Sequence, residues 1–243
     1  MNTCKNCNEP LNGNFCSNCG QPAKLRRIDG KYIIEEIFDF LFANKGLLYT
    51  AKKVLINPGE SVRYFIKEDR YRFMKPVTFL FITSLIYAIV NQLFSITAED
   101  YYQQYNDFEG STVGLFFKWM LIDYPGYTGV ITGFFMALWV KIFFRKYGYN
   151  IFEIFILLCF ITGLTTLYIS LVAIIQGLTH IKIIQESTYI GAIYLTWAIG
   201  HFFDKKKVTS YIKAFLSYIF ASMVLGIIIL VVGTLVDVVM AVK

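Results

Sequence analysis

The chain has 243 residues, of which 56% are hydrophobic and 18% aromatic, while only 16% are charged. Soluble domains carry about a quarter charged residues, so this balance excludes an ordinary soluble protein. The net charge is +6, with the basic residues crowded into the first third and long apolar runs filling residues 76–243. The pattern predicts an all-α polytopic membrane protein with a small soluble head.

The opening residues, MNTCKNC, hold no apolar core of the kind a cleavable signal peptide needs. Cys4, Cys7, Cys16 and Cys19 form C-x2-C-x8-C-x2-C. Two residues between paired cysteines let a tight turn aim both sulfurs at one ion, and two such pairs complete a tetrahedral thiolate shell suited to zinc. Asn8 and Gly20 follow the pairs, where a positive φ turns backbone N–H groups toward the sulfurs. Asn12-Gly13, flanked by Leu11 and Phe15, is a short hairpin signal. Residues 1–22 are therefore expected to be a structural zinc ribbon. Two disulfides instead would require an oxidising compartment, and a redox or iron–sulfur role would require a resolving partner or an electron path. So short a segment cannot bury a core, so bound metal supplies much of its folding energy. The fifth cysteine, Cys159, lies in an apolar run and reads as a small buried hydrophobe.

Residues 23–75 read as a cytoplasmic region of amphipathic helices with a basic juxtamembrane end. Over residues 32–56, Ile33, Ile34, Ile37, Phe38, Leu41 and Phe42 share one face with Glu35, Glu36 and Asp39 opposite. Leu47, Leu48, Ala51, Val54 and Leu55 repeat the pattern with Lys52 and Lys53 outward. INPGES then breaks the chain, and a third helix is expected to begin near Glu60. Arg63, Lys67 and Arg70 fall at i, i+4 and i+7 on that helix. They are candidates for contact with anionic lipid or an acidic partner, against the plainer reading that they only fix topology. The acidic face of the first helix argues for a pair resting on the spans or on another protein.

Residues 76–243 are expected to form a transmembrane bundle. Five stretches approach the roughly twenty apolar residues a crossing needs: about 77–96, 127–144, 154–177, 188–203 and 212–236. The run VGLFFKWMLI at 113–122 is too short and reads as interfacial or re-entrant. With the N-terminus inside, residues 1–76, 141–150 and 202–213 place 13, 3 and 4 Lys or Arg in the cytoplasm. Only Lys118, Lys182 and Lys243 remain outside, so the positive-inside rule puts the C-terminus across the membrane.

Polar groups within the spans are the usual pointers to chemistry. Asn91 and Gln92 fall near the outer end of the first span, as Gln176 and Asp237 do for the third and fifth. Glu153 is expected to pair with Arg145 or Lys146, and Thr162, Thr165 and Thr166 to bond within the helices. His180 and His201 belong to opposite faces, so they cannot share a metal or an acid–base step. No catalytic motif stands out, and no enzymatic activity is expected. Gly129 with Gly133, and Ser222 with Gly226, offer close helix approach within a bundle or between copies.

FCSNCGQ, Gly46-x3-Thr50, Asn57-Pro58-Gly59, Arg63, Arg70 and Pro76-x2-Phe79-Leu80 occur in that order. In this the chain resembles an uncharacterised bacterial family of membrane proteins with an N-terminal zinc ribbon, a domain of unknown function. KEDR at 67–70 departs from that pattern, where a more basic turn carrying Gly is expected. The resemblance implies a bacterial inner-membrane protein and carries no reaction. Two functions are therefore expected. One is a membrane-anchored adaptor or regulator that binds a cytoplasmic protein through its ribbon. The other is a subunit for transport of a small solute or lipid. Nucleic acid is an unlikely partner for so few basic residues around one aromatic, Phe15.

Overall fold

The computed structural model describes residues 46–68, 72–97, 100–101, 111–119 and 125–241, with residues 3–4, 7, 9–10 and 13–19 of the N-terminal segment. Among these, regular structure is helical and no strand occurs; Thr3 and Pro10 form an isolated antiparallel bridge. The helices are α1 (Leu47–Ile56), α2 (Pro58–Lys67), α3 (Pro76–Leu93), α4 (Thr112–Lys118), α5 (Pro125–Phe143), α6 (Ile151–Thr179), α7 (Ile184–Asp204) and α8 (Val208–Ala241). The amphipathic helix expected before Gly46 lies outside the described residues, as do Asn8, Asn12, Gly20 and Arg70.

Among the described residues, three helices are long and apolar enough to cross a membrane: Pro76–Leu93, Ile151–Thr179 and Val208–Val239. They give the chain the character of a membrane protein. The expected spans at 127–144 and 188–203 coincide with α5 and α7, which are less clear-cut. The described apolar part of α5 is the shorter Val130–Phe143. α7 carries Gln185, Glu186, His201 and Asp204 toward its ends, which lowers its apolarity.

α6 is the hub, packing against α1, α2, α3, α5 and α7. It is apolar all round, as suits a helix that packs on others along part of its surface and faces hydrocarbon along the rest. Asn150 and Glu153 start it with a capping box: the Asn150 side chain accepts from the Glu153 N–H at 2.9 Å, and Glu153 accepts from the Asn150 N–H at 2.7 Å. Glu153 thus satisfies a helix terminus where an ion pair with Arg145 or Lys146 was expected. α3 runs alongside α6. A Cβ on Gly163 would stand 2.7 Å from the Phe79 ring, so only glycine admits this approach. Two aromatic clusters bind the bundle. Phe65, Phe73 and Phe79 surround the fully buried Phe160 with ring centroids 5.2, 6.2 and 6.0 Å away. Phe144 stacks on Phe203 at 3.9 Å, with Tyr147 and Tyr149 beside it.

At the other end of the bundle, the polar groups flagged in the sequence tie loops to helices. Gln176 accepts from the N–H groups of Ile183 and Ile184 at 2.9 and 3.1 Å, and donates to Asp100 at 3.0 Å. The Tyr101 hydroxyl donates to the buried Asn91 at 3.2 Å. Asp237, on α8, accepts from the Thr112 N–H at 3.0 Å and from its hydroxyl, fixing the start of α4. The described part of the short apolar run, Thr112–Lys118, is therefore a helix docked on α8, where Val113 meets Gly233. Gly133 faces Phe155 within the chain, and Gly226 has open space. Thr162, Thr165 and Thr166 bond to carbonyls of their own helix.

Candidate metal centre and helical platform

The sulfur atoms of Cys4, Cys7, Cys16 and Cys19 all lie within 4.8 Å of one another, from residues up to 15 positions apart. Cys4 Sγ is 3.5 Å from Cys19 Sγ, and Cys7 Sγ is 3.5 Å from Cys16 Sγ. A disulfide would bring sulfurs to about 2.05 Å, and none of the five cysteines forms one. Around a tetrahedral ion with bonds of about 2.3 Å, sulfurs stand about 3.8 Å apart, so the cluster has the dimensions of a four-thiolate site. The first knuckle is closed by the Cys4 N–H donating to the Glu9 carbonyl at 2.8 Å. Cys4 and Cys16 are buried, Cys7 is half-buried and Cys19 exposed. A hydrogen bond with the Glu9 backbone lowers the pKa of Cys7, but desolvation and the thiols of Cys16, Cys19 and Cys4 outweigh it and push it up to about 12. The neighbouring thiols thus oppose ionisation of Cys7, and a metal cation would remove that opposition. Cys159 is buried within α6, apart from this cluster.

The second feature is the helical hairpin of α1 and α2. Pro58 starts α2 where its missing N–H costs nothing. That same proline leaves the Val54 carbonyl without its usual helical donor, and the Tyr194 hydroxyl of α7 supplies one at 2.8 Å. Gly59 presses against the end of α7; a Cβ there would stand 2.4 Å from the His201 carbonyl oxygen. Arg63 donates to the carbonyls of His201, at 3.2 Å, and of Phe202, and its guanidinium lies over the Phe202 ring. Those carbonyls belong to the last turn of α7, which has no further helical donors, so a cation there answers both orphan acceptors and the helix dipole. Lys67 lies over the Tyr149 ring at 5.5 Å. Arg63 and Lys67 thus both make contacts inside the chain. Thr50, fully buried, takes the Met74 N–H at 3.0 Å and so ties α1 to the segment entering α3.

The histidines are far apart: His180 ends α6 in a left-handed conformation, whereas His201 lies in the last turn of α7 against Trp197. Sequence reasoning missed the roles of Tyr194 and Gly163. The proline four residues after Val54 was the one available signal that a donor must come from elsewhere.

Residues 44–88 match the model of a family described as a protein of unknown function (DUF3667). The match takes in α1, α2 and most of α3, the part of the chain organised by Thr50, Gly59 and Arg63. No curated protein and no solved structure matches the chain.

Proposed function

We propose that the chain is a membrane-anchored adaptor or regulatory protein of the bacterial inner membrane, whose zinc-stabilised head recognises a cytoplasmic protein. The observation that carries this reading is the convergence of four thiols within 4.8 Å in a segment too short to hold a core. Zinc is the ion that four thiolates at tetrahedral spacing favour. A metal-held head gives a rigid surface, and the chain supplies a helical bundle to hold it at the membrane. The reading assigns no catalytic step to either part.

It includes five crossings. At about 1.5 Å per residue, the 19 residues of α5 and 21 of α7 reach roughly 28 and 31 Å, close to the hydrocarbon thickness. The distribution of Lys and Arg supports an N-terminus inside and a C-terminus outside. A cytoplasmic head also keeps its thiols reduced and available to metal.

The test is crosslinking in native membranes followed by recovery of the full chain, wild type against Cys16→Ser/Cys19→Ser, with insertion checked for both. A partner recovered only with the wild-type head supports the adaptor. The same set recovered with both chains, or none with either, sinks it.

A further inference from the structure

α1 does not sit beyond the end of α6 but beside its middle. Leu48, Ala51, Lys52 and Leu55 face the stretch from Leu164 to Leu171 of α6 across a cavity of about 550 Å3, closed on its third side by α7 at Gly191 and Tyr194. Leu164 and Leu171 stand roughly 20 and 30 Å along α6 from Ile151, at about 1.5 Å per residue. The cavity opens sideways, on a face where Leu48, Leu55, Leu171 and Ile190 are each about half exposed. Such a face is made for hydrocarbon. Lys52, an exposed residue, is part of the cavity's lining, and among the described residues no carboxylate is.

A cation in that position needs a counter-charge, and apolar walls need an apolar filling. A single ligand meets both needs if it joins an anion to a hydrocarbon chain. We propose that this cavity binds one anionic phospholipid, with an acyl chain against Leu164, Leu171 and Ile190 and its phosphate paired with Lys52. A free anion would satisfy the ammonium and leave the walls wet. A neutral lipid would do the reverse. The inference needs only that α6 crosses a bilayer, and it stands whether or not the head is an adaptor.

The full chain, purified in detergent, is titrated with dioleoyl phosphatidylglycerol or dioleoyl phosphatidylcholine, and bound lipid is counted by native mass spectrometry. The expected result is one saturable phosphatidylglycerol, held about fivefold more tightly than phosphatidylcholine, the effect of one favourably placed basic residue. Lys52→Gln should bring phosphatidylglycerol down to the level of phosphatidylcholine and leave the latter unchanged, while Lys52→Arg keeps the preference. Gly191→Phe should weaken both lipids by filling the cavity, since the nearest atom to a Cβ there is Thr165 Cβ at 4.0 Å. Variants are compared at matched helicity by circular dichroism. Equal affinity of the wild type for the two lipids, a preference that survives Lys52→Gln, or a Lys52→Arg variant that has lost it would overturn the proposal. So would binding untouched by Gly191→Phe, displacement of the lipid by millimolar inorganic phosphate, or a wild-type dimer without lipid that Gly191→Phe dissociates.

Discussion

Arg63 shows how a residue that reads as a surface charge can be structural. Its period with Lys67 suggests a cationic stripe, yet its guanidinium caps the last turn of α7 and covers the Phe202 ring. Charge-assisted hydrogen bonds of this kind contribute about 1.5–3 kcal/mol, and more is lost when the carbonyls stay buried without a donor. Arg63→Ala should therefore lower the thermal unfolding midpoint of the detergent-solubilised chain by several degrees, with lipid selectivity unchanged. An unchanged midpoint with altered lipid binding would return Arg63 to the surface role. Gly59→Ala should destabilise by about 1–3 kcal/mol through overpacking against His201. Because both residues meet the same turn of α7, the double variant should fall short of the sum of the two.

The hairpin of α1 and α2 is where sequence and structure part most. The long crossing helices were legible, because length and unbroken apolarity leave few alternatives for Pro76–Leu93, Ile151–Thr179 and Val208–Val239. The break at Asn57-Pro58-Gly59 was legible too, from turn chemistry. The docking of α1 was legible only as a pair resting on the spans or on another protein, without its partners. Periodicity shows that Leu47, Ala51 and Val54 share a face, but it does not say what that face meets. The partners, Leu164 and Tyr194, lie more than a hundred residues away. Lys52 was not legible there for the same reason: it comes beside α6 from a helix that the hydropathy pattern places outside the spans. Leu48→Trp tests this placement. In vesicles, the emission it adds over the wild type should be quenched by lipids brominated in mid-chain and spared by aqueous iodide. The reverse would move α1 out to the water.

For the molecule as a whole, the clustering of Cys4, Cys7, Cys16 and Cys19 was legible in their spacing because ligand spacing is a local property. Which ion such a cluster could take is set by chemistry that spacing only narrows. The full chain should bind one zinc per copy, measured by elemental analysis after exchange into metal-free buffer, and Cys16→Ser/Cys19→Ser should bind none. Each thiol that ligates gives up its proton, so zinc should be retained near neutral pH and released as the pH falls. Zinc binding that does not respond to acid, or that survives the double substitution, would place the ion elsewhere. The number of crossings was less legible, since α5 and α7 are interrupted or flanked by polar residues and gain their place from packing on α6 and α8.

The hydrogen bond from Arg63 to Phe202 joins residues 139 positions apart. Ribosomes add about 5–20 residues per second, so the donor is made roughly 7 to 30 s before its acceptor exists. Until α6 and then α7 are made, Val62 and Phe65, which end up buried, lack those helices to cover them. The nascent hairpin therefore lacks its α6 and α7 contacts until late in synthesis, and its closing onto the bundle waits for both helices. A nascent chain arrested before α7 should present this hairpin to proteases, and one arrested after α7 should protect it.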